Sequence, residues 1–139
     1  MRQKSIGDLI FDFNKTLKVE IEKEFKSFNI GVGQLHILLK LYLVKDQYCR
    51  QSDLVESLGI DKSNASRSLA KLEEKGLVEF IYINKRDKGI KLTEISEGIK
   101  FKIITSLQNI SKKMTHDISD EDIDNAYRVI EKMNKNLEI

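Results

Sequence analysis

The stretch 61-DKSNASRSLAKLEEKGLVEF-80 decides how the rest of the chain is read. Ala65, Leu69 and Leu72 fall at the i, i+4, i+7 spacing of one helical face, which predicts a helix over 61–75 that stops at Gly76. Asp61 suits its N-cap, with a carboxylate able to accept from the free amides of Ser63 or Asn64. Turning about 100° per residue away from the apolar ladder, the opposite side presents Ser63, Arg67, Ala70, Lys71 and Glu74, with Asn64 and Ser66 on its flanks. A surface filled for helix stability alone carries Glu, Lys and Ala. Serines and an asparagine are weaker helix formers, so the composition points to contact rather than to solvation.

Just upstream, 51-QSDLVESLG-59 reads as a short helix with Leu54, Val55 and Leu58 inward, closed by Gly59, a residue suited to a left-handed turn. Two short helices joined by a tight turn make a helix-turn-helix, a pairing also found in proteins that never touch DNA. Downstream, 77-LVEFIYI-83 and 90-IKLT-93 read as two strands around the charged 84-NKRDKG-89, a β-hairpin with a basic tip.

Longer helices flank this centre. Ile6, Ile10, Phe13, Leu17, Ile21 and Phe25 recur every three or four residues before 28-FNIGVG-33, and 34-QLHILLKLYL-43 carries Leu35, Leu38, Leu39 and Tyr42. Thr93 can cap a helix striped with Ile95, Ile99, Ile103, Leu107, Ile110 and Met114. Ser119, followed by Asp120, Glu121 and Asp122, caps another that carries Ile123, Ala126, Tyr127, Ile130, Met133 and Leu137. The fold class expected is mainly α with a small β-hairpin wing (α+β), a winged helix-turn-helix over 34–93 between long helices at 1–28 and 94–139. The 139 residues suit one domain.

Charge is unevenly placed. The net value is only +2, but residues 1–60 hold 9 basic against 8 acidic groups, 61–93 hold 8 against 5, and 94–139 hold 7 against 9. The surplus thus lies on the second helix of the pair and the hairpin, as a local electrostatic footprint for nucleic acid does. A helix entering the major groove by its N-terminal end meets base edges with its first turns. Arg67 can grip guanine, Asn64 can pair with adenine, Ser63 or Ser66 can serve bases or phosphates, and Lys62 and Lys71 phosphates. On the hairpin, Arg86 can enter a narrow minor groove while Lys85 and Lys88 meet phosphates.

The order and spacing of QSDLVESLGIDKSNASRSLAKLEEKGLVEF, then NKR, then IKLT resemble the MarR family of winged helix-turn-helix regulators, and the flanking helices extend the resemblance over nearly the whole chain. The resemblance implies a homodimer held by the first and last helices, a double-stranded, pseudo-palindromic operator, helix 61–75 in the major groove and Arg86 in the minor groove. It also implies repression relieved by a small aromatic or phenolic effector, for which Phe11, Phe13, His36 and Tyr42 are candidate lining residues. The family commonly carries an aspartate two residues before the wing arginine. Here that position is Asn84, and Asp87 lies on the other side as a substitute for orienting Arg86.

Other classes find less support. His36 and His116 sit in no nucleophile or metal motif, the paired carboxylates of 120-DEDID-124 read as helix-start chemistry, and there is no glycine-rich phosphate loop, so no enzyme and no cofactor are expected. Cys49 is the single cysteine, which excludes an intramolecular disulfide and leaves plain packing, redox sensing or pairing with its copy in a dimer. No apolar run approaches the ~20 residues of a membrane span, and a cytoplasmic location is expected. A winged helix that binds a protein partner through the same surface is the main alternative.

Overall fold

A computed structural model describes residues 3–138; Met1, Arg2 and Ile139, the outermost residues of the expected flanking segments, lie outside the described residues. In chain order the elements are α1 (Ile6–Phe25), a 3-10 turn (Lys26–Phe28), α2 (Val32–Tyr42), β1 (Cys49–Arg50), α3 (Gln51–Leu58), α4 (Lys62–Glu74), β2 (Val78–Tyr82), β3 (Lys88–Leu92), α5 (Glu94–Met114) and α6 (Asp120–Leu137). The chain divides into two compact units, Met1–Ser106 and Leu107–Ile139, with the division falling inside α5.

The first unit is built around α4. Ala65, Leu69 and Leu72 are fully buried where α4 packs on α2 and β2. Ile37 and Leu38 of α2, Leu54 of α3 and Val78 and Ile90 of the sheet complete this core. Burying a leucine-sized side chain is worth about 1.5–3 kcal/mol, so the three-residue ladder holds the rotational setting of α4 about its own axis. Both ends of the helix are closed. The Asp61 carboxylate accepts from the Asn64 amide at 2.6 Å, choosing Asn64 over Ser63. At the other end Leu77 N donates to Leu72 O and Gly76 N to Glu73 O, each at 2.9 Å, the paired bonds of a Schellman cap. The turn before α4 uses Gly59 at φ 65°, a left-handed setting that a Cβ disfavours.

The hairpin is present, and a short strand that the sequence pattern did not announce joins it. The sheet order is β1-β3-β2, all antiparallel, with Cys49 opposite Ile90, Arg50 opposite Gly89 and Phe80 opposite Ile90. A Cβ on Gly89 would stand 2.7 Å from Tyr48 Cδ2, so the Tyr48 ring packs against β3 at a position left bare by the glycine. The expected tip, 84–89, also narrows. Lys88 and Gly89 belong to β3, and the turn is closed by Ile83 N and Asn84 N donating to the Asp87 carbonyl.

Polar ties join the elements of this unit. Thr93 Oγ1 donates to the Gly76 carbonyl at 2.5 Å and accepts from Ser96 N at 3.3 Å, so it caps α5 and pins it to the end of α4. Lys75 donates to Gln34 Oε1 at 2.5 Å and to the Asn29 carbonyl, fastening the C-terminal end of α4 to the start of α2. Burial lowers its pKa, as does Lys71, with Glu74 acting the other way. The Tyr42 hydroxyl donates to Ser96 O at 2.7 Å.

The second unit holds the last turns of α5, a tight turn with Asp117 at φ 58°, and α6. Ser119 caps α6 by accepting from Asp122 N at 3.1 Å, as the sequence predicts. Much of the apolar stripe of α6 is exposed within one chain: Tyr127 is 68% and Leu137 84% accessible. In the first unit α1 likewise exposes Ile6, Leu9, Ile10, Phe11, Phe13 and Val19. No helix among the described residues is long and apolar enough to cross a membrane.

Tyr42 generates a pH prediction. Burial first, then the Glu97 charge, push its phenol from the ordinary value of 10.0 up to about 12. The neutral phenol is favoured in the folded chain, so its stabilisation is complete below pH ~10 and is lost as pH rises through about 12. The melting temperature is expected to fall across that window, and to fall less steeply for Tyr42→Phe; parallel curves would show that Tyr42 does not drive the loss.

Candidate nucleic-acid interface

The N-terminal half of α4, the start of α3 and the tip of the hairpin surround one open groove of about 560 Å³. Its lining includes Lys62 and Ser66 from α4, Gln51 and Ser52 from α3, and Lys85, Arg86 and Lys88 from the wing, with Glu56 and Asp87 as acidic counterpoints. Residues that lie about 20 positions apart in the sequence thus share one basic recess. The other four residues singled out, Ser63, Asn64, Arg67 and Lys71, lie on α4 outside the groove lining. All nine are exposed. None is held in the core, so every one is open to a partner.

The side chains on α4 are not independent of one another. Asp61 Oδ2 accepts from Asn64 Nδ2 at 3.1 Å, and the Asn64 amide oxygen accepts from the Arg67 guanidinium. Asp61 therefore binds Asn64 twice, once through the backbone and once through the side chain.

On the wing, Asn84 stands where the family resemblance leads one to expect an aspartate. Its amide oxygen accepts from the backbone N–H of Arg86 at 2.9 Å, shaping the turn that carries the arginine. Asp87 does not hold Arg86 as anticipated. Its carboxylate pairs with Arg50 Nη1 at 3.1 Å, and the Arg86 guanidinium has no partner among the described residues. Lys88 leaves the tip for the strand, where its ammonium lies over the rings of Phe80 and Tyr82 at 5.4 and 5.6 Å. Such cation–π contacts are worth about 0.5–1 kcal/mol at exposed sites and hold the lysine at the groove edge.

Arg50, Gln51, Ser52 and Tyr82 were invisible to sequence reasoning about this site. Arg50 precedes α3 in an unremarkable polar run, and only the pairing of β1 with β3 brings it to the wing. The effector candidates do not gather here: Phe11 and Phe13 are exposed on α1, His36 is exposed on α2, and none of the four lines the groove. At Cys49, burial and then the nearby Asp53 charge raise the thiol pKa. That disfavours the thiolate on which redox sensing depends. Among the described residues no group of acidic, histidine and cysteine side chains is placed to hold a metal ion.

A sequence model of the MarR family matches residues 28–88. The HTH-type transcriptional regulator BilQ of Clostridioides difficile (strain CD3) is 24% identical over 132 residues, covering 95% of this chain and 86% of that protein. The crystal structure of the S. aureus MepR-DNA complex superposes with a TM-score of 0.89 at 20% identity, covering 98% of this chain and 100% of that one. The structure of Bordetella bronchiseptica BpsR, whose DNA binding is regulated by 6-hydroxynicotinic acid, gives 0.83 at 13% identity, with 97% of each chain covered. At these identities the solved structures establish a shared fold.

The Arg50–Asp87 pair is half-exposed, and an ion pair of that kind is worth about 0–1 kcal/mol. Arg50→Gln is expected to leave global stability nearly unchanged while speeding amide exchange at Ile83 and Asn84, whose N–H groups depend on the position of Asp87. Unaltered exchange at both amides would remove the pair from the support of the wing.

Proposed function

We propose that this chain is a transcriptional regulator of the MarR type, to whose family model residues 28–88 match, and that it acts as a homodimeric, sequence-specific double-stranded DNA-binding protein, a repressor released by a small aromatic or phenolic effector. The reading rests on one observation: the first turns of α4 and the wing tip line the same basic groove. In the proposed complex α4 enters the major groove, where Arg67 reads base edges and Ser63 and Ser66 serve bases or phosphates. Lys62, Lys71, Lys85 and Lys88 meet phosphates, and Arg86, unpaired on its turn, enters the minor groove. The likeness of fold to a MepR-DNA complex supports this arrangement.

Homodimerisation answers two physical needs. The apolar residues exposed on α1 and α6 call for cover, and segments 1–28 and 94–139 are proposed to supply it in a second copy. One recognition helix also gives limited affinity. Two copies related by a two-fold axis address a pseudo-palindromic site with half-sites about one helical turn apart. Effector control is supported by the fold shared with BpsR, which 6-hydroxynicotinic acid regulates. In thermodynamic terms the effector must prefer a dimer geometry that fits the operator poorly.

Two measurements test the proposal. Sedimentation analysis is expected to return twice the 16.1 kDa chain mass; a monomer at micromolar concentration would overturn the dimer. Fluorescence anisotropy, with duplex from upstream of the gene and a scrambled duplex at two salt concentrations, is expected to give tighter, salt-weakened binding to the native duplex. Arg67→Ala should then lose about 1–3 kcal/mol of discrimination between the duplexes, whereas Lys71→Ala should weaken both evenly and reduce the salt slope by about 1. Equal losses for both variants on both duplexes would refute these roles, and salt-independent association would favour a protein partner.

A further inference from the structure

We propose that Asp61 and Asn64 are positioning residues for Arg67, so that this arginine alone reads a guanine while Asn64, instead of reading adenine, holds it in place. The inference rests on the DNA-binding reading above and adds to it the identity of the base contact and the residues that prepare it.

The chemistry of the three groups leaves one arrangement. A carboxylate only accepts and a guanidinium only donates. Asn64 lies between them, so its amide nitrogen must face Asp61 and its oxygen must face Arg67, as observed. The orientation of the amide is therefore imposed by its neighbours. A bidentate grip on adenine draws on the same oxygen and the same NH₂ group, each of which already has one of its two bonding positions in use and its orientation set by Asp61 and Arg67. Arg67 is in the opposite position. One of its five N–H donors is used by Asn64, and four remain for the two acceptors on the major-groove edge of guanine.

The choice of cap carries the argument further. α1 and α6 are each capped by a serine, Ser5 and Ser119, whose hydroxyl accepts from the third residue onward at 3.1 Å. A serine would cap α4 equally well. Instead α4 begins with a carboxylate beside Lys62, on the face proposed to approach phosphates, where a negative charge repels the ligand. What Asp61 supplies beyond a cap is its second oxygen, and that oxygen is bonded to the Asn64 side chain. An exposed arginine has many rotamers to lose on binding. Holding it through Asn64 before DNA arrives removes part of that cost.

The test separates capping from positioning. Asp61→Asn keeps an N-cap oxygen of equal quality but places an NH₂ group opposite the Asn64 NH₂. Base-preference profiles are obtained by selecting bound duplexes from a randomised pool at fixed salt, for the wild type, Asp61→Asn, Asn64→Ala and Arg67→Ala, with melting temperatures alongside. The expected result is one guanine position that Arg67→Ala erases and that Asp61→Asn and Asn64→Ala each weaken about two- to tenfold, the range set by freeing one long side chain. Asp61→Asn is expected to melt with the wild type, and adding it to Arg67→Ala to cause no further loss of preference. A profile unchanged by Asp61→Asn overturns the relay, as does an adenine position lost in Asn64→Ala and kept in Arg67→Ala. A wild type that prefers no sequence overturns the DNA reading itself, and the relay with it.

Discussion

The burial of one face of α4 is the constraint on which the rest depends. Ala65, Leu69 and Leu72 are sealed against α2 and β2, and replacing either leucine by alanine in such a setting costs about 2–5 kcal/mol. With that face fixed, the direction of every other side chain on the helix follows from the 3.6-residue repeat. Ser63, Asn64, Arg67 and Lys71 are exposed because Ala65, Leu69 and Leu72 cannot be. The caps at Asp61 and Gly76 and the Lys75 bridge to Asn29 and Gln34 then hold the helix along its axis. A surface meant to match a rigid duplex needs this kind of setting, since a loosely held helix would have to be ordered at the moment of binding.

The wing is positioned by different means. Its tip has little apolar surface to bury, so its order comes from local polar bonds and from the strand beside it. Asn84 shapes the turn at Arg86, Asp87 is drawn away by Arg50, and Lys88 rests on two aromatic rings. Each contact is individually weak. Together they leave the Arg86 guanidinium uncommitted at the edge of the groove, with its backbone defined and its side chain free. This division, a rigid helix packed into the core and a lightly supported arm, suits a two-part contact in which one element sets register and the other adapts to groove width.

The flanking helices present the reverse problem. α1 and α6 keep their apolar stripes in periodic order and yet expose much of them within a single chain. A core-facing helix of a self-sufficient fold would not do so. Their patterning is resolved in the proposed second copy, which links the affinity for DNA to the same surfaces that complete the fold.

The amino-acid sequence by itself determined the elements whose causes are local. The apolar periodicity of α4, the capping chemistry of Asp61 and Ser119, the left-handed Gly59 and the β-branched run after Gly76 all act within a few residues, and each is found where the pattern places it. The six exposed polar and basic residues of α4 were legible for the same reason, because the inward face of an amphipathic helix defines its outward one, and the three on the wing because they fall in or beside a charged turn between two apolar strands. What only the tertiary structure decided are the meetings of groups distant along the chain. Strand β1 has two residues and no pattern of its own; it is defined by its pairing with β3, where Tyr48 packs against the bare Gly89. Arg50 reaches Asp87 across that pairing, which is why the carboxylate expected to serve Arg86 does not. The linkage of Asp61, Asn64 and Arg67 falls between the two cases. Its spacing of three residues is visible in the sequence, but which donor meets which acceptor is settled only when the buried face has fixed how the helix is turned.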